Sequence, residues 1–163
     1  MVAFVALGSN LGNPQANVLR AFERLQVLSN RPLLRSSLIQ TSPIDCPPDS
    51  PPFINAVAGM TVRLDESPES LLLKLQTIEN EFGRMRKTVL NEPRPLDLDL
   101  IAFGQERRST ERLVLPHPRA HLRRFVLQPL NEIAPDFILP GQSISVRELL
   151  KQLPEEPTIR PFH

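Results

Sequence analysis

A single cysteine, Cys46, rules out a disulfide within the chain and suits a reducing compartment. Charge of one sign is also missing: 19 basic residues nearly cancel 18 acidic ones, leaving a formal net charge of +1. There is no bulk positive field to hold nucleic acid or an anionic lipid surface, so any basic site must be local. Long hydrophobic runs are absent too. The apolar stretch from Met1 to Leu7 is too short to span a bilayer and lacks the basic start of a signal peptide. It is expected to be a first buried strand, and the protein is expected to be cytoplasmic, with no membrane and no nucleic acid among its partners. Two nucleotide signatures are lacking, the G-x-x-x-x-G-K-[ST] loop and the G-x-G-x-x-G turn. A nucleotide enzyme built on this chain must therefore use scattered side chains. His117 and His121 lie four apart, but Pro118 and the lack of an H-E-x-x-H acid argue against zinc. Cys46 lies in a proline-rich loop with no evident base partner, which argues against a catalytic thiol.

What is present is ordinary for one globular domain: 163 residues, 40% apolar and 23% charged, against a common domain size of about 100–150 residues. One domain over residues 1–163 is expected. The 18 prolines should fall in loops and at element ends. Val2 to Leu7 reads as a strand ended by Gly8-Ser9-Asn10. Pro14 can open a helix whose apolar positions are Val18, Leu19, Phe22 and Leu25. Leu33 to Ile39 reads as a second strand, Thr41 to Pro52 as a loop, and Phe53 to Leu64 as a third strand. Ser67-Pro68 starts a helix with Leu71, Leu72, Leu75, Ile78 and Phe82 as its buried stripe and Gly83 as its C-terminal cap. A polar loop from Arg84 to Pro95 leads into a fourth strand, Leu96 to Phe103, with a short segment around Leu113 beside it. Short helices follow over Arg124 to Glu132 and Ser145 to Leu153. The order strand, helix, two strands, helix, strand predicts an α+β sheet with helices packed on it. The tail from about residue 155 to 163 is proline-rich and is expected to fray.

The sharpest chemical feature is Pro93-Arg94-Pro95-Leu96-Asp97-Leu98-Asp99-Leu100. On a strand, Asp97 and Asp99 share one face and the leucines the other. Two neighbouring carboxylates repel one another in a dry site, and a hard divalent cation resolves that conflict. A solvated pair of surface acids is the plainer reading of D-x-D alone. Upstream, Arg84, Arg86, Lys87 and Arg94 supply the cations that a polyphosphate needs beside a metal. Arg84 to Lys87 also suits the dipole at the end of the preceding helix. The cation-rich loop, with few apolar anchors, is expected to swing onto bound phosphates.

Taken together, these residues resemble the 6-hydroxymethyl-7,8-dihydropterin pyrophosphokinase family. The resemblance is carried by Ala6-Leu7-Gly8-Ser9-Asn10-Leu11-Gly12, Phe53-Ile54-Asn55-Ala56-Val57, Gly83-Arg84-Met85-Arg86-Lys87, the P-R-x-L-D-L-D-L run, Leu115-Pro116-His117-Pro118-Arg119, and Arg123 to Leu130, in order. It implies a ferredoxin-like α+β fold, a mostly antiparallel sheet with helices on both faces. It also implies transfer of pyrophosphate from ATP to the hydroxymethyl group of the dihydropterin, giving AMP, in folate biosynthesis. Asp97 and Asp99 would bind two Mg²⁺ ions, with Arg84, Arg94 and Asp97 catalytic. Gln76, Glu79, Arg86, Lys87, Leu100, Arg112, His117 and Arg123 would surround ATP. Ser42, Pro43, Phe53, Asn55 and Phe125 would hold the pterin, where a flat heterocycle can stack on rings and pair with an amide. The enzyme would be a monomer. Asn91, Glu92 and Pro118 depart from residues common in the family. Two other readings stand beside this one: a different Mg-dependent phosphoryl or nucleotidyl transferase, and a non-catalytic α+β binding module.

Overall fold

The computed structural model of the chain describes residues 1–42, 51–83, 95–156 and 158–162. The centre of the fold is β1 (Val2–Ser9), flanked on one side by β4 (Phe53–Thr61) and on the other by β5 (Asp97–Phe103), all antiparallel. Outside β4 lie β3 (Ile39–Thr41) and then β8 (Ile159–Pro161), and β2 (Leu34–Arg35) also pairs with β4. A small separate hairpin joins β6 (Arg108–Ser109) and β7 (Val114–Leu115).

Strand alternation distributes the core to both faces of the sheet. Ala3, Val5 and Leu7 of β1, with Ala56, Ala58 and Met60 of β4, face α1 (Pro14–Leu28) and α2 (Pro68–Glu81). Phe4 and Val57 face the opposite way, onto α3 (Arg124–Ile133) and α4 (Val146–Gln152). Helices therefore cover both faces of an antiparallel sheet, the ferredoxin-like arrangement expected. Both long helices start as their sequences require. Asn13 accepts from Ala16 N ahead of Pro14, and Ser67 and Ser70 cap one another reciprocally around Pro68.

Two expectations are corrected and one helix position is refined. Leu19, one of the apolar positions at helical spacing in the first helix, is 44% exposed, and Ala21 takes the core position between Val18 and Phe22. The second strand is not continuous over Leu33 to Ile39. It breaks into β2 and β3 because Ser36 enters the ladder with its side chain: its N–H donates to Val57 O at 3.0 Å, while its hydroxyl accepts from Val57 N at 2.8 Å. A hydroxyl competing with backbone in this way interrupts regular pairing. Residues 159–162 of the tail are paired rather than frayed. Ile159–Pro161 pair with β3, Phe162 N donates to Leu38 O at 3.0 Å, and the Phe162 side chain packs against the core. Proline is compatible with this because β8 is an edge strand.

Candidate active site at one end of the sheet

Three strand ends meet at the site: the end of β1 and the starts of β4 and β5. Gly8 is flanked by Asn55 on one side and Asp97 on the other, and Ala6 by Val57 and Asp99. The leucines of β5 turn into the α1/α2 core, Leu96, Leu98 and Leu100 being at most 5% exposed. Asp97 and Asp99 therefore point the other way, toward the α3 face, and Asp99 is exposed there. The floor between them and Asn55 is kept low by Gly8, where a Cβ would come within 3.1 Å of Asn55 Nδ2.

The start of β5 is pinned by a clip that reading the sequence missed. Ser9 Oγ donates to Pro95 O at 2.6 Å, and Asn17 Nδ2 donates to the same carbonyl at 3.1 Å and to Leu11 O at 3.0 Å. The Gly8-Ser9-Asn10 stretch read as a turn; its role in holding a strand eighty-odd residues away leaves no local sequence signal. Thr41 was missed for a similar reason. Its hydroxyl donates to Asn55 Oδ1 at 2.9 Å, which turns the Asn55 amide N–H groups toward Gly8.

Over the acids come residues from the far end of the chain. A register shift opposite Phe4 and Val5 leaves Ile101 as an extra residue on β5. His117 N donates to Ile101 O at 2.8 Å, which docks the His117 segment against the strand. Burial pushes the His117 imidazole below its usual value. Asp99 pulls it up, and Arg123 and Arg119 push it down. The ring is therefore held uncharged near neutral pH. Its Nδ1 accepts from Arg119 N at 3.3 Å, so Nε2 carries the proton and is the donor. Arg123 sits at the start of α3 with its guanidinium 5.6 Å from the centroid of Phe125.

Phe53, Asn55, Asp97, Asp99, His117, Arg123 and Phe125 thus gather on one face at one end of the sheet. Other expected site residues fall elsewhere. Glu79 is 6% exposed on the opposite face, where its carboxylate accepts from Leu98 N at 2.8 Å along the outer edge of β5. Leu100 has its side chain in the core. Gln76 is exposed on α2. Arg112 lines a groove of about 440 Å³ between α2 and the β6–β7 hairpin, with Leu72, Leu73 and Leu113 as apolar lining. The ion pair of Arg108 with Glu69, at 2.7 Å, stands at its rim. Ser42 is exposed just past β3. Pro43, Arg84, Arg86, Lys87 and Arg94, like Asn91 and Glu92, lie outside the described residues.

The donor set suits Mg²⁺. Among the described residues no three His, Cys, Asp or Glu side chains converge on one point, so a closed protein cage of the zinc or calcium kind is not built there. Two carboxylates on one strand face beside an open, glycine-floored surface match an ion that keeps water and phosphate oxygens as its remaining ligands.

An α+β sheet with helices on both faces, bearing paired acids, a neutral histidine, an arginine and two phenylalanines at one end, defines the class: a protein equipped to hold an anionic ligand beside a flat ring. A model of the 7,8-dihydro-6-hydroxymethylpterin-pyrophosphokinase (HPPK) family matches residues 4–135, and the chain belongs to that family. It is 42% identical over 160 residues to the 2-amino-4-hydroxy-6-hydroxymethyldihydropteridine pyrophosphokinase of Haemophilus influenzae, covering 98% of each chain. It is likewise 42% identical over 157 residues to the Pseudomonas aeruginosa protein of the same name, covering 94% of this chain and 92% of that one. Among solved structures, a Plasmodium falciparum HPPK-DHPS triple mutant superposes with a TM-score of 0.71 at 13% identity, over 93% of this chain and 41% of that longer chain. At that identity the likeness shows the fold.

Proposed function

We infer that the protein is a pyrophosphokinase that transfers the β,γ-diphosphoryl group of ATP to the hydroxymethyl oxygen of 6-hydroxymethyl-7,8-dihydropterin, in folate biosynthesis. Membership of the HPPK family and 42% identity over nearly the whole chain support the reaction. The observation that carries the chemistry is the pair Asp97 and Asp99 on one strand face, with His117 and Arg123 brought over them.

The acceptor oxygen attacks the β-phosphorus in line. The bond from that phosphorus to the α,β-bridging oxygen breaks, AMP leaves, and the hydroxyl proton passes toward the Asp97 carboxylate. Asp97 and Asp99 would hold two Mg²⁺ ions, which would supply positive charge to offset that of the phosphates. The chain's own residues position and stabilise. The protonated Nε2 of His117 and the guanidinium of Arg123 are donors for phosphate oxygens. The groove between α2 and the hairpin, apolar inside with Arg112 in its lining, suits a purine base and ribose, with Gln76 one turn beyond Leu72 and Leu73. Glu79 acts from behind by holding β5. On the acceptor side, Asn55 offers oriented N–H groups, and Phe53 and Phe125 offer ring faces. Ser42 and Pro43, which follow β3 in sequence, are assigned to the acceptor on the family resemblance. Arg84 and Arg94 are assigned to the transferring phosphates, and Arg86 and Lys87 to ATP affinity, on the family motif that carries them.

We further propose a cytoplasmic monomer that binds neither nucleic acid nor membrane. The near-zero net charge supports this, and no described helix is long and apolar enough to cross a membrane. The test of the reaction is direct: incubation with Mg-ATP and the hydroxymethyl dihydropterin should give AMP and pterin diphosphate in equal amounts. Formation of ADP or free phosphate, or no acceptor-dependent turnover, would overturn it.

A further inference from the structure

We propose that the C-terminal strand β8 is a positioning element for the acceptor side of the site, acting through β3. This rests on the reading above that Asn55, Phe53 and Phe125 receive the pterin. β3 is only three residues long, and β8 is the strand that lies along its outer edge. The register is Ile39 opposite Pro161, Gln40 opposite Arg160 and Thr41 opposite Ile159. On its inner edge β3 pairs Thr41 with Phe53 and Ile39 with Asn55. So one short strand transmits from β8 to two acceptor-side residues, and Thr41 adds the hydroxyl that fixes the Asn55 amide at 2.9 Å.

The tail is gripped at its other end as well. Arg124 stands between Arg123 and Phe125 and directs Nη1 at the carbonyl oxygens of Leu150, Leu153 and Pro154, at 3.5, 3.4 and 3.4 Å. Leu153 packs on the α3 side, and Phe162 packs into the opposite core cluster. The last stretch of chain therefore ties the first turn of α3, which carries Phe125, to β3, which orients Asn55. Both belong to the acceptor side.

Without β8, β3 is a bare three-residue edge, and so short a strand gains little from pairing on one side alone. Thr41 would then hold the amide loosely. A flipped Asn55 presents its carbonyl where the ligand expects N–H, and an oriented hydrogen bond becomes a mismatch. The nucleotide side is spared by topology. In the strand order β5-β1-β4-β3-β8, the metal-binding strand and the groove beside α2 lie at the far edge from β8. Loss of β8 should therefore weaken the acceptor selectively.

The experiment compares the full chain with a form ending at Glu156 and with two point variants, Arg160→Pro and Arg160→Ala. Proline removes the backbone donor and stiffens the strand, whereas alanine keeps the backbone and removes only the side chain. Expected are a rise in KM for the dihydropterin of about five- to tenfold in the truncated and proline forms, with KM for ATP changing less than about twofold and alanine behaving as wild type. Amide hydrogen exchange at Ile39 to Thr41 should quicken in the proline variant, a readout that holds even if the truncated chain does not fold. An unchanged acceptor KM, or an equal rise for both substrates, with the full chain still active would overturn this proposal alone. A full chain without acceptor-dependent AMP formation would overturn the functional reading beneath it.

Discussion

At the scale of single residues, the proposed site divides into groups assigned to ligand and groups that hold those in place. Asp97 and Asp99 are assigned to the first. Asp97→Asn or Asp99→Asn keeps the shape and removes a charge from a side chain that belongs to neither core cluster, so the fold should survive while turnover falls by at least about a hundredfold. Near-normal kcat at saturating Mg²⁺, with an unchanged melting temperature, would exclude the metal assignment. Asn17 belongs to the second group. Its amide reaches Ser9 Oγ, Leu11 O and Pro95 O together, so Asn17→Ala removes three contacts at the entry to β5. A stability loss of about 1–2 kcal/mol in urea unfolding is expected. A fall in kcat should accompany it, because Asp97 follows Pro95 by two residues. A variant that lost stability but kept kcat would show that the clip serves the fold alone.

At the scale of elements, α2 shows how much the sequence discloses. Its start is legible because the cap is local: Ser67 before Pro68, and Ser70 three positions on. Ser67→Ala should cost about 1 kcal/mol, seen as a lower denaturation midpoint, and leave both KM values where they were. A shift in KM would mean that the groove beside α2 depends on that cap. The alternation in β5 is legible for the same reason, since leucine and aspartate at period two allow one burial pattern. What escaped the sequence depends on distance along the chain. Ser36 breaks a strand because Val57 lies opposite it, and nothing around Ser36 announces that partner. Leu19 sits at helical spacing on the wrong side of the stripe, and only the sheet beneath α1 decides which side is buried. The tail composition describes a loop, yet β3 offers it an open edge to pair with. The paired acids of the candidate site were legible as residue types and spacing, but their support was not: Gly8, Ser9, Asn17 and Thr41 act on residues from other strands.

At the scale of the whole molecule, the two outer edges of the main sheet are both managed. An exposed strand edge invites pairing with another chain, and proteins block it with charges, proline or covering segments. Along β5 the Glu79 carboxylate takes the Leu98 N–H, and the His117 segment takes the Ile101 carbonyl. At the other edge β8 carries Pro161. Sheet-to-sheet association is therefore disfavoured, and sedimentation equilibrium should give a single species near 18.4 kDa. A stable dimer would mean that some other surface, outside the sheet edges, is sticky. Glu79→Gln should leave that mass unchanged, because the amide oxygen still accepts from Leu98 N.

The division of β5 between leucines and aspartates from Asp97 to Leu100 also separates two kinds of selection along four consecutive residues. Drift at Leu98 or Leu100 is judged by whether the polypeptide persists in the cell, and drift at Asp97 or Asp99 by whether metabolite flows through it. The same stretch can thus be immovable for two unrelated reasons. A lineage that lost the need for the reaction would be free to rewrite every second letter while keeping the others.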